Sequence, residues 1–343
     1  MKDFMKLAFL EARKGQNTWT NPQVGAVLVK NNQVLSQGHH ETFGEAHAEV
    51  NALKKLNDIT KARGATLYVT LEPCSHFGKM PPCVQKIVEM GIKKVVIGQV
   101  DPNPIVSGRG IKYLRDHDVI VENLEASTNL NTAYNFFYKN KRPLITVKYA
   151  MTLDGKINQD KKVRSLISNQ KAYEDSQQLR SQNQVILIGE NTLKIDNPRL
   201  TVRSQNLMFP PIRAVMVRDI NIVDLNSHLF QSQEPIWFFS ATKNQHKLPK
   251  NVQIFVGEWN PQKVIKLFAK KGLESVLIEG GSHLQADFVE QGLVDKVVVY
   301  LANKVFGRGL PVIWDKKIPS MQFSDLDVEK LDSNLKITTW RIG

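Results

Sequence analysis

The sequence predicts an α/β protein built of two unlike layered domains. Short runs of β-branched and aromatic residues alternate along the chain with segments of helical period. At 343 residues the chain is longer than one core usually serves, which suggests two domains. A basic stretch, Lys139-Asn140-Lys141-Arg142, is stopped by Pro143 and separates two α/β series that share no motif. Domains are therefore expected over 1–142 and 143–343.

In the first series, Phe4, Leu7, Ala8 and Leu10 give residues 4–14 a helical spacing, with Gly15 where a helix stops. Residues 24–29 and 34–35 read as two strands joined at Asn31-Asn32. Ala46, Val50, Ala52, Leu53 and Leu56 mark a helix over 45–56. Residues 66–71 are a buried strand, 83–90 a helix, 94–98 a strand, 109–116 a short helix and 119–121 a strand. Residues 126–142 read as a polar helix. In the second series, strands fit at 144–149, 185–189, 212–218, 236–240, 252–256, 275–279 and 296–301. Helices fit at 169–180, 262–271 and 283–291. Neither an internal repeat nor a low-complexity tract is present.

Composition narrows the classes. Apolar residues make 42% of the chain and charged residues 23%, which suits a packed core and excludes general disorder. No apolar run reaches the roughly 18 residues of a membrane span, and the N-terminus has no signal-peptide core, so a cytoplasmic protein is expected. Two cysteines cannot staple a chain of this length. Lys+Arg minus Asp+Glu is 46 − 33 = +13, which fits an anionic partner, either nucleic acid or a phosphorylated small molecule.

Those two cysteines fall in a chemical constellation: His47-Ala48-Glu49, Pro73-Cys74 and Pro81-Pro82-Cys83. One imidazole and two thiolates make a three-ligand zinc set with a fourth position for water, and Glu49 can carry protons beside it. In a regular helix, residues i and i+2 point about 200° apart, so the pair works best at a helix start. Pro81-Pro82 should likewise open the helix that holds Cys83, where the partial positive charge favours a thiolate. Taken singly, these residues would be a surface histidine, a solvated glutamate and two buried thiols. The zinc-deaminase signature H-x-E…P-C-x-x-C is matched except that eight residues separate the cysteines.

The longer spacing is specific. Asn21-Pro22-x-Val24-Gly25, Gly44-x-x-His47-Ala48-Glu49, Thr70-Leu71-Glu72-Pro73-Cys74-Ser75-His76-x-Gly78-x-x-Pro81-Pro82-Cys83 and Asp101-Pro102-Asn103-Pro104 resemble the bifunctional deaminase–reductase family of riboflavin biosynthesis. The resemblance implies a cytidine-deaminase-like three-layer α/β/α domain in which His47, Cys74 and Cys83 hold zinc and Glu49 is the proton shuttle. It also implies that Asn21, His76, Lys79 and Asn103 contact substrate. Turn chemistry is the competing reading of Asn21 and Asn103, since both precede proline.

No G-x-G-x-x-G follows a strand, so a Rossmann cofactor site is not expected. Residues 275–284 read as strand, glycine turn and helix, a plain connection or a phosphate cradle. Together with Lys148-x-Ala150-x-x-Leu153-Asp154-Gly155, Leu179-Arg180 and Asn191-Thr192-x-x-x-Asp196-x-Pro198-x-Leu200-Thr201-x-Arg203, the Glu279-Gly280-Gly281 turn resembles the family's reductase half. That half is similar to dihydrofolate reductase in fold. By this resemblance Ala150, Thr192, Asp196 and Gly281 meet NADPH, and Arg180, Leu200, Arg203 and Glu279 meet the sugar-phosphate substrate. Guanidinium suits phosphate, although either arginine could instead form a surface ion pair. One segment departs: Arg164-Ser165-Leu166-Ile167-Ser168 stands where the family has Ser-x-Trp-Ile-Thr, so a covering tryptophan is replaced by Leu166.

The expected function is zinc-dependent deamination of a phosphoribosylaminopyrimidine followed by NADPH-dependent reduction of its ribosyl group to a ribityl chain. A small phosphorylated pyrimidine is the expected partner, with no nucleic acid, no membrane and a homo-oligomeric state. The competing readings are a tRNA or nucleoside base deaminase with an accessory domain, which the second half opposes, and a deaminase whose reductase half is idle, which Leu166 makes thinkable.

Overall fold

A computed structural model of the chain describes residues 3–77, 81–126, 129–160, 163, 165–313 and 320–342. The chain divides into two compact units after Lys141.

The first unit runs α1 (Phe4–Ala12), β1 (Gly25–Lys30), β2 (Gln33–His39), α2 (Ala48–Lys54), β3 (Thr66–Val69), α3 (Cys83–Glu89), β4 (Lys94–Ile97), α4 (Arg109–Asp116), β5 (Ile120–Asn123) and α5 (Thr132–Asn140). Among the described residues its sheet has the order β2-β1-β3-β4-β5. β1 is antiparallel to β2 and β3, and β3, β4 and β5 are parallel. Side chains alternate across the sheet as strand geometry requires. Ala26, Leu28, Leu67, Val95 and Ile97 pack on one face with Ala52, Leu53, Val84, Ile87 and Leu114 of α2, α3 and α4. Val27, Val29 and Val96 pack on the other with Phe4, Met5 and Ala8 of α1. The result is three layers.

Two of the expected helices are shorter. α2 starts only at Ala48, because His47 is its N-cap in extended backbone, with φ −74° and ψ 166°. α5 starts only at Thr132.

The second unit runs β6 (Leu144–Thr152), β7 (Lys156–Asn158), α6 (Gln170–Ser181), β8 (Val185–Gly189), α7 (Glu190–Asp196), β9 (Ile212–Val217), β10 (Ile236–Ser240), β11 (Val252–Val256), α8 (Pro261–Lys270), β12 (Ser275–Ile278), α9 (Ser282–Glu290), β13 (Lys296–Ala302), β14 (Leu310–Pro311), β15 (Asp327–Leu331) and β16 (Asn334–Trp340). Its large sheet has the order β11-β10-β9-β8-β12-β6-β13-β16-β15 among the described residues. The strands from β11 to β13 are parallel, and β16 and β15 close the edge antiparallel.

Sequence reading found neither the β15–β16 hairpin nor β7, β14 and α7. β15 reads Asp327-Val328-Glu329-Lys330-Leu331 and is mostly exposed at the sheet edge, so it carries no apolar run. The hairpin nevertheless shapes the interior. Asn169, the N-cap of α6, accepts from the Ala172 amide at 2.9 Å, donates through Nδ2 to the Leu331 carbonyl at 2.7 Å and through its own amide to Asn334 Oδ1 at 2.8 Å.

Candidate functional site

In the first unit, His47, Cys74 and Cys83 converge from three separate segments. Their ligand atoms all lie within 4.8 Å of one another. His47 Nδ1 is 3.3 Å from Cys83 Sγ and 3.4 Å from Cys74 Sγ. Because His47 caps α2 from outside the helix, its ring and the carboxylate of Glu49 can face one place despite their two-residue spacing. Glu49 is only 3% exposed, and burial pushes its carboxyl up. Cys83 is the first residue of α3, behind Pro82 as N-cap. Its amide donates to Cys74 Sγ at 3.4 Å and the Val84 amide donates to the Cys74 carbonyl, so the start of α3 points at the Pro73-Cys74 turn.

The electrostatics fit a site for a cation. A hydrogen bond from Cys83 brings the Cys74 thiol down to about 4, and the His47 bond adds to it. The same Cys74 bonds raise His47 to about 9 and hold Cys83 well above its ordinary value. One thiolate is thus shared by two proton-bearing neighbours. Two thiols and an imidazole at this separation are the donor set of a tetrahedral zinc site with one position left for water.

The residues expected around this centre differ in placement. Asn21 donates through Nδ2 to His40 Nε2 at 3.0 Å. His40 in turn donates from Nδ1 to the Ala46 carbonyl at 3.1 Å, and its ring meets that of His47 edge-on at 5.6 Å. Burial pushes His40 down, which keeps it neutral. His40 went unnoticed in the sequence, although the pair His39-His40 was there to be read. Asn103 makes the turn its sequence allowed: its Oδ1 accepts from the Ile105 amide at 3.1 Å, while its own amide donates to Asp101 Oδ1 at 2.8 Å. His76 is exposed on the turn after Cys74. Lys79 lies outside the described residues.

In the second unit a cleft of about 420 Å³ opens at the ends of β6 and β12. All eight reductase residues expected from the sequence line it: Ala150, Thr192, Asp196, Gly281, Arg180, Leu200, Arg203 and Glu279. Tyr173, Gln177 and Arg180 present one face of α6 to it, at the i, i+4, i+7 spacing of a helix. Glu279, Gly280 and Gly281 form the turn from β12 into α9, and the Gly281 amide donates to Thr192 Oγ1 at 3.0 Å.

Arg180 and Glu279 form a bidentate pair, Nε to Oε1 at 2.8 Å and Nη2 to Oε2 at 2.6 Å, both largely buried. Arg203 is exposed. It stacks over the Tyr173 ring at 5.6 Å and donates to the Tyr173 hydroxyl from Nε at 2.9 Å and from Nη2 at 2.6 Å. Leu200 is buried in the left-handed region at φ 55°, which costs a branched residue on the order of 1–3 kcal/mol. Leu166 is 74% exposed on the cleft rim. Arg164 lies outside the described residues.

The RibD C-terminal domain family matches residues 143–337. The cytidine and deoxycytidylate deaminase zinc-binding region matches residues 1–99. The riboflavin biosynthesis protein RibD of Aquifex aeolicus is 34% identical, over 98% of this chain and 93% of its own. The chain belongs to the RibD family of riboflavin biosynthesis proteins. RibD of Escherichia coli is 32% identical, over 90% of this chain and 89% of its own. A solved structure from Thermotoga maritima, described as a diaminohydroxyphosphoribosylaminopyrimidine deaminase/5-amino-6-(5-phosphoribosylamino)uracil reductase, superposes with a TM-score of 0.88. It is 33% identical, with 99% of this chain and 98% of that one covered. RibD of Acinetobacter baumannii superposes at 0.89 with 28% identity, again covering 99% and 98% of the two chains. The α/β expectation for both halves holds, and the RibD family reading makes the chain an enzyme with a zinc-binding deaminase region and a reductase domain. Among the described residues no helix is long and apolar enough to cross a membrane.

Proposed function

We propose that residues 1–142 deaminate 2,5-diamino-6-(5-phosphoribosylamino)pyrimidin-4(3H)-one, and that residues 143–343 reduce 5-amino-6-(5-phosphoribosylamino)uracil with NADPH to the ribitylamino product. The observation that carries this reading is the His47-Cys74-Cys83 triad beside buried Glu49, in a chain matched from end to end by RibD proteins.

His47, Cys74 and Cys83 hold the zinc, which when bound supplies a water acidified to near neutrality. Glu49, buried beside the triad, would carry the proton given up by the attacking water to the leaving amino nitrogen. A carboxyl raised by burial is suited to hold the proton between the two transfers. Water enters and ammonia leaves. Asn21, whose amide nitrogen is committed to His40, turns its carbonyl oxygen to the pyrimidine. His76 and Asn103 meet the same substrate, and Lys79 its phosphate.

In the reductase cleft, Ala150, Thr192, Asp196 and Gly281 meet NADPH, which supplies the hydride. A Cβ at Gly281 would meet Thr192 Oγ1 no closer than 3.5 Å, so the fold itself does not need glycine there, and an open backbone suits a phosphate. Arg180 and Glu279 act on the substrate as one pair, since each satisfies the other. Exposed Arg203 is left to take the phosphate, and Leu200 packs against the ligand. The chain works in the cytoplasm as a homo-oligomer, without nucleic acid.

Supplying the diaminopyrimidinone phosphate with and without NADPH, and weighing the products, tests the whole proposal. Deaminated product alone without NADPH, and ribityl product with it, are expected. Deamination with no ribityl product under any NADPH concentration would leave the second unit idle. Absence of deamination, together with a salt-sensitive RNA mobility shift, would favour a nucleic-acid deaminase.

A further inference from the structure

Glu72 has no role in the chemistry above, yet it is among the most heavily hydrogen-bonded side chains of the first unit. It is 3% exposed. Its Oε1 accepts from the amides of Gly110 at 2.9 Å and Ile111 at 3.2 Å, and its Oε2 from those of Gly108 at 2.9 Å and Asp101 at 3.3 Å. Three of these donors belong to the start of α4. Its N-cap, Gly108, has no side chain to satisfy them, so Glu72 supplies the cap from 36 positions away in the chain. The fourth donor, Asp101, begins the turn that carries Asn103.

The other end of Glu72 leads to the metal centre, because Cys74 follows two residues later. The two segments press together behind the carboxylate. A Cβ at Gly110 would lie 2.2 Å from the Pro73 carbonyl oxygen and 3.1 Å from Glu72 Oε1, which only glycine avoids. One carboxylate therefore joins the turn bearing Cys74, the turn bearing Asn103 and the positive end of α4.

We infer that Glu72 is a positioning residue of the deaminase centre, clamping the Cys74 and Asn103 turns on the first turn of α4 so that metal ligand and substrate contact stay in register. This rests on the proposed roles of Cys74 and Asn103. A carboxylate is required because both oxygens face only donors. Glutamine in either orientation turns an NH₂ against backbone N–H groups.

The test uses the full-length, zinc-loaded chain. Glu72→Gln should speed zinc release to a chelator about tenfold or more. It should raise the deaminase KM and lower kcat/KM by about 10- to 100-fold, the range that loss of charged hydrogen bonds implies. Reduction of already deaminated substrate should stay within about twofold, since every residue assigned to reduction lies in the second unit. Gly110→Ala, which pushes α4 off the Pro73 carbonyl and the Glu72 carboxylate without removing a charge, should give the same pattern and decides the matter if Glu72→Gln does not fold. If both folded variants keep wild-type zinc release and deaminase kinetics while only the melting temperature of the first unit falls, Glu72 is a helix cap and the inference is overturned. A Cys74→Ser chain with undiminished zinc would instead overturn the metal-site reading, and this assignment with it.

Discussion

At the scale of single residues, protons and metal compete for the same atoms. Near pH 7 Cys74 is a thiolate, because hydrogen bonds from Cys83 and His47 bring it to about 4. His47 and Cys83 keep their protons, one raised to about 9 and the other higher still by their bonds to Cys74. Zinc needs a neutral imidazole and two thiolates, so binding should expel roughly two protons, and affinity should fall roughly a hundredfold per pH unit on acidification. Calorimetry in buffers of different ionisation enthalpy counts those protons, and none released would contradict the ligand set.

Asp101 gives a second titration. Burial raises it to about 6 from 3.8, against the bonds it accepts from Asn103 and the Tyr134 hydroxyl. Between about pH 4 and 6 the folded form thus holds a proton the unfolded chain has lost, so the contribution of this group to stability is full below about pH 4 and is lost as pH rises through 6. The shift of roughly two units corresponds to about 3 kcal/mol. Asp101→Asn, which can still accept both bonds, should remove that decline. Unfolding curves for the two proteins at pH 4 and pH 7 compare it directly.

At the scale of elements, the turn between β12 and α9 holds two adjacent glycines with different reasons to be there. A Cβ at Gly280 would come within 2.9 Å of Leu284 Cβ and 2.6 Å of Cδ2, so the packing of α9 on the turn requires glycine. Gly280→Ala should destabilise the second unit by about 1–3 kcal/mol, the usual cost of overpacking. Gly281→Ala meets nothing closer than 3.5 Å. It should leave the melting temperature within a degree or two and raise the KM for NADPH by roughly tenfold or more, because a methyl group would stand where the cofactor phosphate approaches. Thermal melts beside NADPH titrations separate the two. A Gly281→Ala enzyme with unchanged NADPH affinity would remove that residue from the cofactor site.

At the scale of the whole molecule, two chemistries share one chain but no residue. Glu49→Gln keeps the shape of the side chain and the three metal ligands, but it cannot pass a proton. Deamination should fall by about 10²–10⁴-fold with zinc content unchanged. Reduction of deaminated substrate should continue at the wild-type rate, because every residue assigned to it lies in the second unit. Loss of both activities in this variant would mean that the two sites are not independent.

The class of fold, the strands and helices of strong period, and the candidate metal triad His47, Cys74 and Cys83 could all be read along the chain. Those signals are local: apolar spacing within a segment, and rare residue types set beside proline and a helix start. The eight reductase residues were also legible, as a pattern, and the cleft gathers all of them. What the sequence could not carry were interactions whose partners are distant along the chain. Arg180 looks like a free phosphate ligand until Glu279, 99 positions later, closes on it. Asn103 shows as a turn former only where its carbonyl oxygen accepts from the Ile105 amide and its own amide donates to Asp101. The β15–β16 hairpin has no apolar signal because one edge strand faces water, yet it anchors the start of α6. Glu72 is one acid within a motif until the start of α4 presents three backbone donors to it and Asp101 a fourth. Such pairings emerge with the fold, because hydrogen-bond donors left unpaired by local structure are satisfied wherever the folded chain brings an acceptor, and no spacing rule records where that will be.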